Sequence, residues 1–202
     1  MLFVFLSLFL WEYSYRFLVK SEIMIHRKLN KNLVCFVHSI ICSLITYYNI
    51  NRDLPNYTLL YYFSFGYFIW DIVNIVIHKD FNDLMFIYHH IICLLALSSL
   101  IKGESSEIIN KVFFLGEASN FFNYITYHCI KSNYFKNNII ILKIIQFVWF
   151  FYFRIILISE TIYRDFHKLH NVYFGYTLLT IHALSFLWIS KQFKIIAKYL
   201  LN

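Results

Sequence analysis

Apolar residues run along the chain in seven long blocks, roughly 2–19, 33–50, 57–78, 84–101, 108–130, 139–160 and 172–190. Short polar links separate them, at 20–32, 51–56, 79–83, 102–107, 131–138 and 161–171. A helix that crosses a bilayer needs about 20 mostly apolar residues, and the blocks are close to that length. They are too long and too little alternating for the short strands of an outer-membrane barrel. In lipid, a helix satisfies its own backbone hydrogen bonds. The pattern therefore predicts an all-α, polytopic membrane helix bundle with about seven transmembrane helices. The first block is the weakest, because Glu12 and Arg16 interrupt it. Their i,i+4 spacing allows a pair on one helix face, and an interfacial placement is the alternative.

Composition agrees with the pattern. The 202 residues are 60% hydrophobic, 22% aromatic and 14% charged, with one proline and four glycines. Ordinary soluble domains carry about 25% charged residues. The apolar excess favours lipid as solvent. Cys35, Cys42, Cys93 and Cys129 all lie in apolar blocks with no Cys-x-x-Cys pair, so packing rather than a disulfide framework is expected. Residues 1–10 lack a basic region and a small-residue cleavage site, so no removable signal peptide is expected. The ending Leu201-Asn202 shows no lipidation or retrieval motif.

The net charge of +7 is mainly a topology signal. The odd-numbered links, their flanks and the tail hold Arg16, Lys20, Arg27, Lys28, Lys31, Lys79, Lys131, Lys136, Lys143, Lys191, Lys194 and Lys198. The opposite side holds Arg52, Lys102, Lys111, Arg164 and Lys168. Positive-inside bias puts the odd links and the C-terminus in the cytosol. The basic stretch from Lys20 to Lys31 is a candidate for binding anionic lipid head groups. The basic residues are scattered along membrane flanks, so no nucleic-acid partner is expected.

Direction gives each polar intruder a depth. Asp71 lies about seven residues from the cytosolic end of the third block, ~10 Å at helical rise. His89 and His90 lie about five or six residues into the fourth, ~8–9 Å. His38 and Asn123 fall near the same level, which predicts one cytosol-facing polar layer. Glu117 and Arg154 fall in a second layer toward the other side, where a structural ion pair is expected. Asp71, Asn74 and His78 recur at i, i+3 and i+7, on one helix face. His89 and His90, being adjacent, point about 100° apart.

Ionisable groups in hydrocarbon are costly and face protein or water, so they mark candidate functional sites. A histidine oriented by a carboxylate can act as a general base or as a nucleophile that accepts an acyl group. This makes His89, His90 and Asp71 the candidate catalytic residues. His38, His78, Glu117, Asn120, Asn123 and Arg154 are candidate lipid-binding or structural polar residues. No metal is expected: one histidine pair and His167-x-x-His170 on the opposite side are too few ligands for a di-iron membrane oxygenase. The sequence has no Gly-x-Ser-x-Gly elbow and no phosphate loop.

These residues resemble a known family. Gly66, Tyr67, Phe68 and Asp71 resemble the G-Y-F-x-x-D signature of TLC-domain membrane proteins. Tyr88, His89 and His90 before an apolar run resemble the family's central histidine pair. Glu117, Ser119 and Asn123 resemble its E-x-S-x-x-x-N segment, Arg154 a common arginine, and His38 a histidine that often opens the domain. The resemblance covers about 30–190 and implies a six-helix TLC core. Residues 1–29 then form an added membrane helix and a basic cytosolic link, and 191–202 a basic tail. Ceramide synthases, within the family, carry H-D-x-x-D on the following helix. Here 116–120 reads Gly, Glu, Ala, Ser, Asn, which is closer to the small TLC-domain proteins.

The resemblance implies a multi-pass protein of the endoplasmic reticulum acting in lipid handling or membrane lipid homeostasis. Its expected partners are membrane lipids, with acyl-CoA or a sphingoid base as candidate substrates and no resident cofactor. A homodimer is compatible with it. Two other readings stay open: an acyl-CoA-dependent N-acyltransferase resembling ceramide synthase, and a cargo receptor or scaffold of the secretory pathway.

Overall fold

The computed structural model describes residues 2–21, 27–78, 84–135, 138–169 and 172–201. Lys79, Lys136 and His170, which entered the charge and ligand arguments, lie outside the described residues. Among those described, the apolar blocks fold as α1 (Leu2–Lys20), α2 (Arg27–Ile50), α3 (Tyr57–Ile77), α4 (Leu84–Ile101), α5 (Ser106–Ala118), α6 (Phe121–Lys131), α7 (Ile139–Phe151), α8 (Ile158–Asp165) and α9 (Val172–Leu201). No strand occurs among them. α5 and α6 together fill the fifth block. α7 and α8 fill the sixth, joined by a π-helical segment, Tyr152–Leu157. Five helical stretches are long and apolar enough to cross a membrane: Leu2–Lys20, Arg27–Ile50, Tyr57–Ile77, Leu84–Ile101 and Ile139–Lys168. The protein is an all-α membrane helix bundle.

The helices outrun their apolar blocks. α2 begins at Arg27, well before residue 33, and α9 is 30 residues long and ends at Leu201 rather than near 190. A helix can continue past the hydrocarbon edge wherever Lys and Arg reach back to the interface. Lys28, Lys31, Lys191, Lys194 and Lys198 lie on these extensions. α3 starts sharply because the Asn56 side chain accepts a hydrogen bond from Leu59 N at 3.3 Å, satisfying one orphan donor of the first turn.

α1 is packed into the bundle through polar and aromatic groups. Ser7 Oγ donates to Phe63 O at 2.9 Å and Trp11 Nε1 to the same carbonyl at 3.3 Å. Trp70 Nε1 donates to Glu12 Oε2 at 2.9 Å. The i,i+4 pair is present too, with Arg16 Nε 2.6 Å from Glu12 Oε1. Thus Glu12, one of the two residues that interrupt the first block, also docks it. Gly66 permits the approach: a Cβ there would lie 2.5 Å from Ser7 Oγ and 2.7 Å from Leu8 N. This is close small-residue packing of the kind membrane bundles use.

α2 packs against α5 through a buried amide network. Asn110 Nδ2 donates to Thr46 O at 3.0 Å, and Asn49 Nδ2 to Asn110 Oδ1 at 3.3 Å. Asn49 Oδ1 accepts from Asn56 N at 3.0 Å, which ties in the turn before α3. The outward surface is apolar, with Phe5, Phe9, Leu44, Val76, Val148 and Tyr176 all exposed. All four cysteines are free and buried.

Candidate functional site

A cavity of about 490 Å³ lies inside the bundle, toward the end where α2 begins and α3 finishes. Three helices each present it a single stripe. α2 supplies Lys28, Lys31, Asn32 and Cys35; α6, with the residue before it, supplies Asn120, Asn123, Tyr124 and Tyr127; α9 supplies Trp188, Lys191, Gln192 and Ile195. Each set has i, i+3, i+4, i+7 spacing, which is one helix face. α3 adds Tyr67, Phe68, Asp71 and Ile75, and α4 adds Phe86, His89 and His90. Glu117, Gln146, Phe150 and Arg154 complete the wall.

Asp71 is the hub of the polar floor. Its Oδ1 lies 2.8 Å from Lys31 Nζ, and its Oδ2 lies 3.5 Å from His90 Nδ1. All three side chains are largely shielded: Lys31 is 16% exposed, Asp71 6% and His90 7%. In so dry a place a carboxylate needs a close cation, and Lys31 provides one. His90 turns toward Asp71 and packs on Phe68, with ring centroids 5.0 Å apart. His89 turns the other way, as adjacent helical residues must. Its Nε2 lies 3.7 Å from Cys93 Sγ, and its ring meets Trp188 edge-on at 5.6 Å. Both histidines nevertheless line the same cavity.

Glu117 and Arg154 stand differently from the expectation. They line the same cavity as Asp71 and the histidines. Arg154 does not form the expected ion pair; it grips backbone and a hydroxyl instead. Its Nε donates to Ser119 Oγ at 2.8 Å and its Nη2 to Gly116 O at 3.1 Å. The cause is the break between α5 and α6. There Asn120 N bonds to Glu117 O at 3.0 Å, a tighter turn than the α-helical bond to Gly116 O. Gly116 O is thereby released, and it accepts from Ser119 Oγ at 2.6 Å as well as from Arg154. Trp149 Nε1 caps Ala118 O at 2.8 Å. The π-helical segment adds the extra backbone that places Arg154 against this break. The guanidinium packs over Gly116, where a Cβ would meet it in ordinary van der Waals contact at 3.7 Å. Glu117 instead has its Oε2 3.8 Å from His38 Nδ1.

His38 sits behind the cavity wall and not on it. It is fully buried, stacked on Tyr67 at 3.6 Å between ring centroids, with Nε2 3.2 Å from Ser64 Oγ. His78 is exposed at the end of α3, its Nδ1 2.8 Å from Asn74 O, and it does not line the cavity. Asn120 and Asn123 do line it. Asn123 Nδ2 donates to Asn120 Oδ1 at 3.4 Å, while Asn123 Oδ1 accepts from Gln146 Nε2 at 2.8 Å and Gln192 Nε2 at 3.4 Å. This amide chain links α6, α7 and α9 across the wall.

Sequence reasoning missed Gln146, Trp188 and Gln192, and it placed Lys31 in a basic link for lipid head groups rather than beside Asp71. For Lys31 a signal existed: Lys28, Lys31, Cys35 and His38 share one face of α2. Counting Lys31 as part of a polar link hid it. Among the described residues, no three His, Cys, Asp or Glu side chains converge as metal ligands would. A second, small pocket of about 30 Å³ shares His89, Glu117 and Arg154 with the cavity and is also lined by Ile109, Phe113 and Leu178.

The cavity thus combines a polar floor built from several helices with aromatic and aliphatic walls, within a membrane bundle. Comparison with known proteins identifies the family. No curated protein and no solved structure matches the chain. Residues 5–196, which run from within α1 to within α9, match the family described as TLC domain. The chain belongs to the TLC-domain family of multi-pass membrane proteins, a family tied to lipid biology.

Proposed function

We propose that the protein takes an acyl lipid into this cavity and acts in lipid handling or membrane lipid homeostasis. The observation that carries this reading is the two-sided character of the cavity. Lys31, Asp71 and His90 form a polar floor, while Phe68, Ile75, Phe86, Phe150, Trp188 and Ile195 give apolar walls. Its volume of about 490 Å³ falls in the range of small-molecule sites. The reading places the protein in the endoplasmic reticulum with the cavity on the cytosolic side, following the Lys and Arg asymmetry.

Native mass spectrometry of the purified protein, released from nanodiscs, tests it. A retained lipid of defined mass is expected with the native chain. Cys35→Phe, which adds a ring to the cavity wall, should lose it while remaining folded. No retained lipid, or equal retention in the variant, would count against the reading.

A second reading, acyl transfer, is favoured by one distance: Asp71 Oδ2 lies 3.5 Å from His90 Nδ1. His90 Nδ1 makes no hydrogen bond at this distance, and a carboxylate that closed on it would fix the ring and leave Nε2 as the nitrogen for chemistry. Incubation with labelled acyl-CoA and a sphingoid base would separate the two readings. An amide product or acyl-enzyme that disappears in His90→Ala supports transfer. Retained lipid without either supports handling alone.

A further inference from the structure

Four cationic side chains line the cavity, Lys28, Lys31, Arg154 and Lys191, against two carboxylates, Asp71 and Glu117. Their placement is uneven. Arg154 is engaged with Ser119 and Gly116 at the inner wall, and Lys31 bridges to Asp71. Lys28 lies one turn before Lys31 on α2, and Lys191 lines the cavity from a second helix, α9, with its Nζ 3.8 Å from Met85 Sδ at the start of α4. Lysines at a membrane edge are ordinary. Lysines from two helices facing one concave space, above a third that is only 16% exposed, are a more specific arrangement.

We propose that the occupant of the cavity carries an anionic, phosphate-bearing head group, held between Lys28, Lys31 and Lys191. This rests on the lipid-handling reading and adds the chemical class of the ligand. A phosphate offers several strong acceptor oxygens to cations arriving from different directions. Asn32 and Gln192 lie on the same stripes; their amide nitrogens donate to Tyr124 O and Asn123 Oδ1, while Gln192 Oε1, buried without a hydrogen-bond partner, is open to a ligand hydroxyl. The lipid chain then lies along Phe86, Phe150 and Trp188. A phosphoglycerolipid and the phosphates of an acyl-CoA both satisfy this chemistry.

Affinities of the full chain in micelles of an uncharged maltoside detergent, which carries no phosphate, provide the test. The three probes are lysophosphatidate, a monoacylglycerol with the same chain, and free CoA. Lysophosphatidate is expected to bind about tenfold or more tighter than the monoacylglycerol, the scale that two lysines supply at a membrane surface. Displacement of lysophosphatidate by free CoA would assign the phosphate to a CoA source; absence of displacement would assign it to a lipid head group. The double variant Lys28→Gln/Lys191→Gln should bring the two lipids to nearly equal affinity. Lys194→Gln/Lys198→Gln removes the same charge from α9 outside the cavity, and it should keep the preference. Equal affinities in the native chain would overturn the proposal. So would equal loss in both double variants, which is the behaviour of general surface attraction. Monoacylglycerol binding without a phosphate preference overturns this inference alone, whereas failure of every lipid to bind overturns the lipid-handling reading with it.

Discussion

Lys31 Nζ lies 2.8 Å from Asp71 Oδ1, joining the start of α2 to the inner part of α3 at the floor of the cavity. The link is short and shielded, and it holds the carboxylate that also faces His90. Removing one partner of such a pair leaves the other charged and poorly solvated, at about 3–5 kcal/mol when burial is complete. Lys31 keeps some exposure, so Lys31→Met or Asp71→Leu alone should cost about 1–3 kcal/mol. The double variant Lys31→Met/Asp71→Leu should recover most of that loss. Thermal unfolding in detergent measures all three. Additive single effects would show that the pair is not coupled.

Gly66 sets the approach of α1 to α3. An added methyl would lie 2.6 Å from Ser7 Cβ and 2.7 Å from the Leu8 backbone nitrogen. A backbone neighbour cannot rotate away, so α1 must shift. Gly66→Ala should destabilise by about 1–3 kcal/mol, the usual cost of overpacking. Ser7→Gly should restore only part of it, because Leu8 N remains in the way. A full rescue in unfolding measurements would contradict this geometry.

Arg154 should not be replaceable by lysine. Its two hydrogen bonds go to different atoms, Ser119 Oγ and Gly116 O, and only a forked guanidinium serves both in this arrangement. Arg154→Lys should cost about 1–3 kcal/mol through the unmet backbone group. Hydrogen exchange should rise locally across the α5–α6 break. Unchanged protection there would refute the clasp.

Much of this site was legible in the sequence, and each failure has its own physical cause. Asp71, His89 and His90 were brought to one level by counting residues along straight helices, and they do share the cavity. The same counting set Glu117 and Arg154 nearer the other side, and they too line the cavity. Their expected ion pair is what failed: the break at Ser119 and Asn120 frees Gly116 O, and the π-helical segment sets Arg154 against it. Neither distortion has a proline or a glycine pair to announce it. Lys31 was hidden for another reason. Hydropathy marks where a chain becomes apolar, not where its helix begins, and α2 begins in the polar link. His38 matched the depth of the cavity but not its surface, since Tyr67 stands in front of it.

The amide network at the other end of α2 offers a contrast. Asn110 is fully engaged with Thr46 O and Asn49, away from the cavity-lining residues. Asn110→Leu should destabilise by about 1–3 kcal/mol, the cost of leaving buried partners unsatisfied. Lipid retention per folded molecule should be unchanged. Loss of lipid in this variant at a temperature where it stays folded would mean that the cavity is not an independent site.

The central claim is that a lipid occupies the space between α2, α3, α4, α6 and α9. Photo-crosslinking with a diazirine-bearing acyl lipid, followed by mass-spectrometric mapping, tests it most directly. Adducts are expected on peptides carrying Tyr67, Phe68, Tyr124 and Trp188, and they should be competed by unlabelled lipid and lost in Cys35→Phe. Adducts confined to the outward surface around Phe5, Phe9, Val148 and Tyr176, and indifferent to competitor, would contradict the account.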